Sequence, residues 1–338
     1  MREIGSEFWL ESEPSALSHD RNGIYVLSGR TAIDLIIQDI IKSKPVYKAY
    51  LPAWCCDSMV NPFLKRGIQV DFYDMSFDGN LHYYIDADTQ TDIFYVSNYF
   101  GYKTTVDKEI ILQFKEKGAT IIHDRTHSFL MDDDIEADYT FASIRKWMGV
   151  VAGAVVNGVK DGQLKPYPYL GCKAQAMRMK KVFIEGDNSI DTQTFLNLYG
   201  EFGHHLMEDF QNYEMDDLSY ALYKSEDLEA MRRKRRENAK FLHENLKGMR
   251  FIGELTDKAV PLFVPVFFDT TEQRNAIRKK LIEAQIYCPI HWPKPAQIPV
   301  DFEANRIYDT ELSLICDQRY NIENMQRIVA VINEHDFK

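Results

Sequence analysis

The stretch A-T-I-I-H-D-R-T-H-S, residues 119–128, opens with a short β-branched apolar run and closes with six polar residues in succession. Ala119 to Ile122 show none of the alternation of a half-exposed strand, so they predict a strand covered on both faces, as in a parallel sheet. Such a strand delivers His123, Asp124, Arg125, Thr126 and His127 to its C-terminal end. Ligands bind outside that edge in open parallel sheets. The alternative is a core strand emptying into a solvated loop.

Outward from this stretch, the chain up to about Gly158 alternates strand and helix signals. Ala32 to Ile41 places apolar residues on one helical face just after the turn-prone Ser28-Gly29. A strand ending at Leu51-Pro52, a helix through Leu64, the strands QVDFYD and DIFYVS, and a helix before Gly118 lead to the opening stretch. The strands DYTFAS and GAVVNG then flank IRKWMG. This order predicts a mostly parallel α/β sheet with helices on both faces. Ser189 to Leu246 reads as mainly helical, and the basic run MRRKRREN within it as the solvated face of a long helix. After Gly248 the pattern turns α+β. The expected organisation is an N-terminal arm over 1–14, a large α/β domain over 15–230 and a smaller C-terminal α+β domain over 231–338.

The 338 residues, 45% hydrophobic and 27% charged, can bury a substantial core. A formal net charge of −11 argues against nucleic-acid binding, which needs a basic face. The longest weakly polar run, Gly149 to Val159, falls short of the ~20 residues of a membrane span, and MREIGSEFWL holds no apolar core of a secretory signal. The five cysteines are scattered without metal-ligand spacing. A cytoplasmic protein with reduced thiols, no membrane partner and no metal is the expectation.

Three pieces carry chemistry. Ser28, Gly29, Arg30 and Thr31 open a helix, where unpaired N–H groups and the helix dipole suit a phosphate, although plain capping by Ser28 accounts for the same residues. Lys146 follows Ser143 between two strands, and the strand register puts it at the same sheet edge as Asp124. A lysine to take an aldehyde, a carboxylate to keep a ring nitrogen protonated and a helix start to grip a phosphate are what pyridoxal-phosphate chemistry requires.

With these residues in place, the sequence resembles the DegT/StrS-type, sugar-aminotransferase-like family of fold-type-I pyridoxal-phosphate-dependent aminotransferases over nearly its whole length. SGRTAIDL resembles the family's S-G-T-x-A-L helix start, and LPAWCCDSMVNPFLKRGIQVDFYDM resembles its P-x-x-T-[FW]…G-x-x-[VP]-x-[FY]-x-D stretch, without a gap from Pro52 to Gly67. VSNYFG resembles V-H-x-[YF]-G, HDRTH resembles E-D-x-x-[QH], and SIRK fits S-x-x-K. MRRKRRENAKFLHENLKG, YCPIHW and ELSLICDQRYNIENMQRIVAVI resemble elements of the small domain. The sequence departs from the pattern at His123, at Asn98, and at Cys56, where the family places a ring-stacking aromatic; Gly-Asp-Gly-Gly is absent after Lys146. These departures mark a divergent branch.

The resemblance implies pyridoxal 5'-phosphate attached covalently to Lys146, with Asp124 at the pyridine nitrogen, His127 at the ring edge and Ser143 at the phosphate. Ser28, Gly29, Arg30, Thr31, Cys56 and Asn98 complete the expected cofactor contacts. Trp54, Arg125, His291 and Arg319 are candidate substrate contacts, with core packing the alternative for Trp54 and structural pairing for the arginines. The implied activity moves an amino group from an amino-acid donor, glutamate by resemblance, to a nucleotide-linked keto-sugar. A lyase or aldolase acting on an amino acid, or a non-catalytic cofactor sensor, are the rival readings. The apolar helical stretch around Phe195, Phe202 and Phe210 suggests a homodimer.

Overall fold

The computed structural model describes residues 3–11, 14, 21–104, 106–132, 135–187 and 189–334. The expected start of the large domain at residue 15 and the expected end of the smaller one at 338 lie outside the described residues.

Eight strands form one sheet in the order Ile24–Val26, Ala154–Asn157, Tyr139–Ser143, Thr120–Asp124, Ile93–Ser97, Lys48–Pro52, Gln69–Phe77, Leu81–Tyr84. The five from Tyr139–Ser143 to Gln69–Phe77 run parallel. Ala154–Asn157 is antiparallel to both of its neighbours, so Ile24–Val26 points the same way as the central five. The C-terminal ends of these strands therefore share one edge. The order reverses beside Lys48–Pro52, whose next two parallel partners lie on opposite sides, and a crevice opens at such a point.

The opening strand sits centrally and is longer than its apolar run suggests. It spans Thr120–Asp124, because Ser97 and Phe141 on the flanking strands continue the pairing to Asp124. His123 and Asp124 thus belong to the strand and not to the loop after it. Asp124 inherits a rigid backbone clamped on both sides.

A second core lies around the antiparallel strands Arg250–Phe251, Val264–Phe267 and Glu311–Leu314 and the helices Leu228–Asn245, Thr271–Glu283 and Ile322–Asn333. Ile4 is buried in this core, and Ile4–Gly5 pairs in parallel with Ile286–Tyr287. The two parts meet at the Phe100–Gly101 turn. Gly101 has φ +76°, and a Cβ there would sit 1.8 Å from the carbonyl oxygen of Val260, so only glycine permits the contact. Val260 N–H donates to Gly101 O and Leu262 N–H to Phe100 O, each at 2.9 Å.

Two expectations are corrected here. The helix Leu170–Ile184 was not anticipated, because Lys173 and Lys180 fall on its buried face and interrupt the apolar stripe. The basic run is not wholly solvated either: Arg235 is completely buried. Its guanidinium donates to the side chain of Gln318 at 2.8 Å, to Leu262 O at 2.9 Å and to Trp147 O at 3.0 Å, and lies 4.7 Å from the Trp147 ring centroid. One arginine thereby ties the second core to the residue that follows Lys146.

Replacing this guanidinium takes the donor from the Leu262 carbonyl and leaves Trp147 O to Gln318 alone. Arg235→Ala is expected to lose about 3 kcal/mol of stability or more, read as a lower denaturant midpoint. A midpoint equal to that of the parent would contradict the anchoring role.

Candidate active site

A cavity of about 440 Å³ opens at the shared strand edge. Ser28, Gly29 and Arg30 form one wall, and Cys56 to Met59, at the start of the helix Asp57–Lys65, form the next. Asp124, Thr126 and His127 follow the central strand, and Ser143, Arg145 and Lys146 follow its neighbour. Lys173, Tyr199 and Phe202 line the cavity from the helices Leu170–Ile184 and Thr192–Glu208, and Trp292, packed against the core of the large sheet, contributes from the segment after Ile286–Tyr287.

The carboxylate of Asp124 is nearly inaccessible to solvent. It accepts from the Tyr95 hydroxyl at 2.8 Å and from Thr126 N–H at 2.7 Å. Burial pushes its pKa up, and these donors together with the charge of Lys146 work in the opposite direction. A cation placed against this carboxylate would favour its ionised form. Thr126 fixes the arrangement further: its Oγ1 accepts from Ser143 N–H at 3.1 Å and its carbonyl from the Trp147 indole at 2.7 Å. One threonine thus joins the Asp124 turn to both ends of the turn that carries Lys146. The Lys146 side chain itself is exposed, and that turn puts it on the cavity wall.

At the helix start both sequence readings meet. Ser28 Oγ accepts from Thr31 N–H at 3.2 Å and shares a hydrogen bond with Thr31 Oγ1 at 2.9 Å, so Ser28 does cap the helix Gly29–Ser43. Thr31 is buried behind it and does not line the cavity, leaving Ser28, Gly29 and Arg30 on the wall. Arg30 is held by Leu206 O at 2.9 Å.

His127 is buried, stacks on Trp292 with centroids 5.3 Å apart, and has its Nδ1 without a partner. Burial, assisted by the charge of Lys146, drives its pKa down to about 3, so the ring is neutral at physiological pH. Neutral and flat, it offers a face or an edge to a planar ligand.

Several expected residues lie off the cavity. Trp54 is fully buried, stacks on Tyr99 at 4.7 Å and donates to His291 O at 2.8 Å, so it is a core aromatic. Asn98 is fully buried beneath the edge. Arg125 donates to Met131 O at 2.8 Å, folding back over its own turn. His291 pairs through Nδ1 with Ser313 at 2.8 Å, and its neighbour Trp292 takes the place on the wall. Arg319 is buried against Asp317 at 2.8 Å and over the Phe8 ring at 4.0 Å, a structural ion pair. Cys56 does line the cavity, its thiol 2.9 Å from Ser58 Oγ.

The sequence reading missed Glu7, Arg145 and Lys173. Arg145 was in plain view beside Lys146, while Lys173 and Glu7 come from elements that carry no motif. Burial first, and then the charges of Arg145 and Lys146, bring Lys173 down to about pKa 7 against the pull of Glu7 and Asp216. The unfolded chain keeps the proton on this lysine up to about pH 10. Between about 7 and 10 the unfolded state therefore binds more protons, and the Lys173 contribution to stability rises with pH and is lost as pH falls toward 7. Lys173→Met is expected to be more stable than the parent at pH 7, with the difference shrinking toward pH 10 in urea melts. A difference independent of pH would contradict this assignment.

No family model matches the sequence, and no curated protein matches it. Solved structures do match. Helicobacter pylori PseC, an aminotransferase involved in the biosynthesis of pseudoaminic acid, is 16% identical with a TM-score of 0.70 over 98% of both chains. Bacillus subtilis NtdA, solved with bound cofactor PMP, is 18% identical with a TM-score of 0.64, covering 94% of this chain and 73% of its own. A DegT/DnrJ/EryC1/StrS aminotransferase from Brucella abortus is 15% identical with a TM-score of 0.63, covering 93% of this chain and 86% of its own. What these likenesses establish is architecture: the chain has the fold-type-I arrangement of a mostly parallel, helix-covered sheet joined to a smaller α+β part.

Proposed function

We propose that this chain is a pyridoxal-phosphate-dependent aminotransferase of the DegT/StrS type, taking an amino group from an amino-acid donor and delivering it to a keto-sugar. One observation carries the reading: Asp124, Lys146 and the helix start at Ser28 face a single cavity at the edge where six strand ends converge. The residues fit the cofactor on physical grounds. A buried carboxylate with a raised pKa is stabilised as an anion by a protonated ring nitrogen. The N–H groups of Gly29 and Arg30, with Ser28 and Ser143, suit a phosphate. His127 and Trp292 supply flat surfaces for the ring. Bound there, the cofactor would supply the electron sink that makes a C–H bond beside nitrogen acidic.

The chain's own residues then have distinct tasks. Asp124 holds the proton at the ring nitrogen by its charge, and Tyr95 and Thr126 hold Asp124. Lys146 would hold the cofactor's aldehyde group through its Nζ and would serve as the general acid and base that moves a proton at that nitrogen. Glutamate as donor, a nucleotide-linked sugar as acceptor and a cytoplasmic setting come from the family resemblance, and the printed activity of PseC supports an acceptor of sugar type.

A homodimer completes the proposal. Phe195, Phe202, Leu206, Phe210 and Tyr213 turn out to be buried within their own chain, which removes most of the apolar surface that suggested pairing. Leu196 and Met207 remain more than half exposed on the helix beside the cavity, and Met207 lines its mouth.

Incubated with pyridoxal phosphate, the purified protein is expected to acquire the yellow absorbance of a lysine-bound cofactor, and Lys146→Ala to lack it. Asp124→Asn should fold and load cofactor yet lose ~10²-fold or more in turnover, because a neutral amide does not hold the ring proton. An unchanged spectrum in Lys146→Ala, or near-parental turnover in Asp124→Asn, would refute the corresponding role.

A further inference from the structure

Two cations on the cavity wall have no task in the chemistry above. Lys173 is 4% exposed, and among the described residues its Nζ has neither a hydrogen-bond acceptor nor an ion-pair partner; it lies 5.1 Å from the centroid of the Phe202 ring. Arg145 has a buried Nε that likewise has no partner. Arg145 as a whole is half-buried, so its fork reaches the cavity, and cationic groups drawn this far out of water are ordinarily paired. Both line the cavity, and both are depressed by burial, a cost that an arriving anion would offset.

The third member of the cluster is Glu7. Its carboxylate also lines the cavity and makes no ion-pair contact among the described residues. The residue is exposed toward the cavity; partial desolvation by the surrounding protein opposes its ionisation, and the charges of Lys173, Arg145, Lys146 and Lys180 outweigh that and hold its pKa below the ordinary value. Its backbone is pinned: Lys180 Nζ donates to Glu7 O at 2.6 Å, and the Tyr199 hydroxyl to Phe8 O at 2.8 Å. Glu7 is thus near enough to be felt by the two cations without neutralising either.

We propose that Arg145 and Lys173 form a carboxylate-binding subsite, the place where a carboxylate of the amino-acid substrate is held while its amino group faces Lys146. The clause about the amino acid rests on the function proposed above; the subsite itself rests on the cavity. Charge selects the ligand class. Burial and the charges beside it leave Lys173 poised at about pKa 7, so an anion arriving beside Arg145 draws a proton onto Lys173 and is held by both cations against the single carboxylate of Glu7. Arg145 presents a fork suited to two carboxylate oxygens, and Lys173 a point charge from the facing helix. The sequence neighbour relation matters as well: because Arg145 directly precedes Lys146, a carboxylate gripped there is fixed relative to the reacting nitrogen.

The test is calorimetric titration of the purified chain, without cofactor, with glutarate, a dicarboxylate that has no amino or keto group and cannot react. Saturable binding is expected at pH 7, weakened about ten-fold or more in Lys173→Met and in Arg145→Met and largely retained in Lys173→Arg. Lys173→Met removes a buried charge and is the variant expected to gain stability, so its lost binding would not stem from misfolding. Arg145→Lys provides a second folded variant, with weakened binding expected because the fork is gone. Equal glutarate affinity in parent and variants, or no saturable binding by the folded parent, would overturn the subsite. Tighter binding of inorganic phosphate, lost in the same variants, would overturn its assignment to carboxylates. Glutarate binding that depends on both residues in a protein that takes up no pyridoxal phosphate would uphold the subsite and strike the proposed activity instead.

Discussion

A carboxylate held dry at the end of the central strand is the constraint on which the site depends. Asp124 is costly to bury as an anion, and the Tyr95 hydroxyl, the Thr126 amide and a nearby lysine offset part of that cost, leaving its pKa raised. The same threonine accepts the Ser143 amide and the Trp147 indole, so the two turns that carry Asp124 and Lys146 move as one body. Arg235 then locks Trp147 to the second core through buried hydrogen bonds. Two reactive side chains from different strands are thereby set against each other by groups that never touch a ligand, which is how rigid scaffolds hold precise sites.

Charge is distributed to the same end. The chain carries a net charge of −11, yet the cavity gathers Arg30, Arg145, Lys146 and Lys173 against Asp57, Asp124 and Glu7. A locally basic pocket in an acidic protein favours anionic ligands at the site. A cofactor with a phosphate and a substrate with a carboxylate would divide the cations between the helix start and the Arg145–Lys173 pair. Holding Lys173 unpaired lowers stability, a trade that functional sites commonly make.

The fold was largely legible because apolar runs bounded by turns set the parallel strands, and the strand register alone put Asp124 and Lys146 at one edge. What escaped has identifiable causes. Leu170–Ile184 was hidden because two of its inward residues are lysines, Lys173 and Lys180. Arg235 read as solvated because a charged run does not disclose which of its members faces inward. Trp54 takes its alternative place as a core aromatic, and Trp292, for which no role was expected, is brought from a distant segment to line the cavity. Glu7 reaches the site on a segment held by the pairing of Ile4–Gly5 with Ile286–Tyr287 and by Lys180 and Tyr199, contacts distant in sequence that no local pattern encodes.

The central claim is that Asp124 keeps a ligand's ring nitrogen protonated inside this cavity. Nitrogen-15 NMR of the protein loaded with pyridoxal phosphate labelled at the ring nitrogen reads that proton directly. A pyridinium shift is expected in the parent, persisting above neutral pH and reverting to that of neutral pyridine in Asp124→Asn. A neutral pyridine nitrogen in the parent, or the same shift in both proteins, would contradict it.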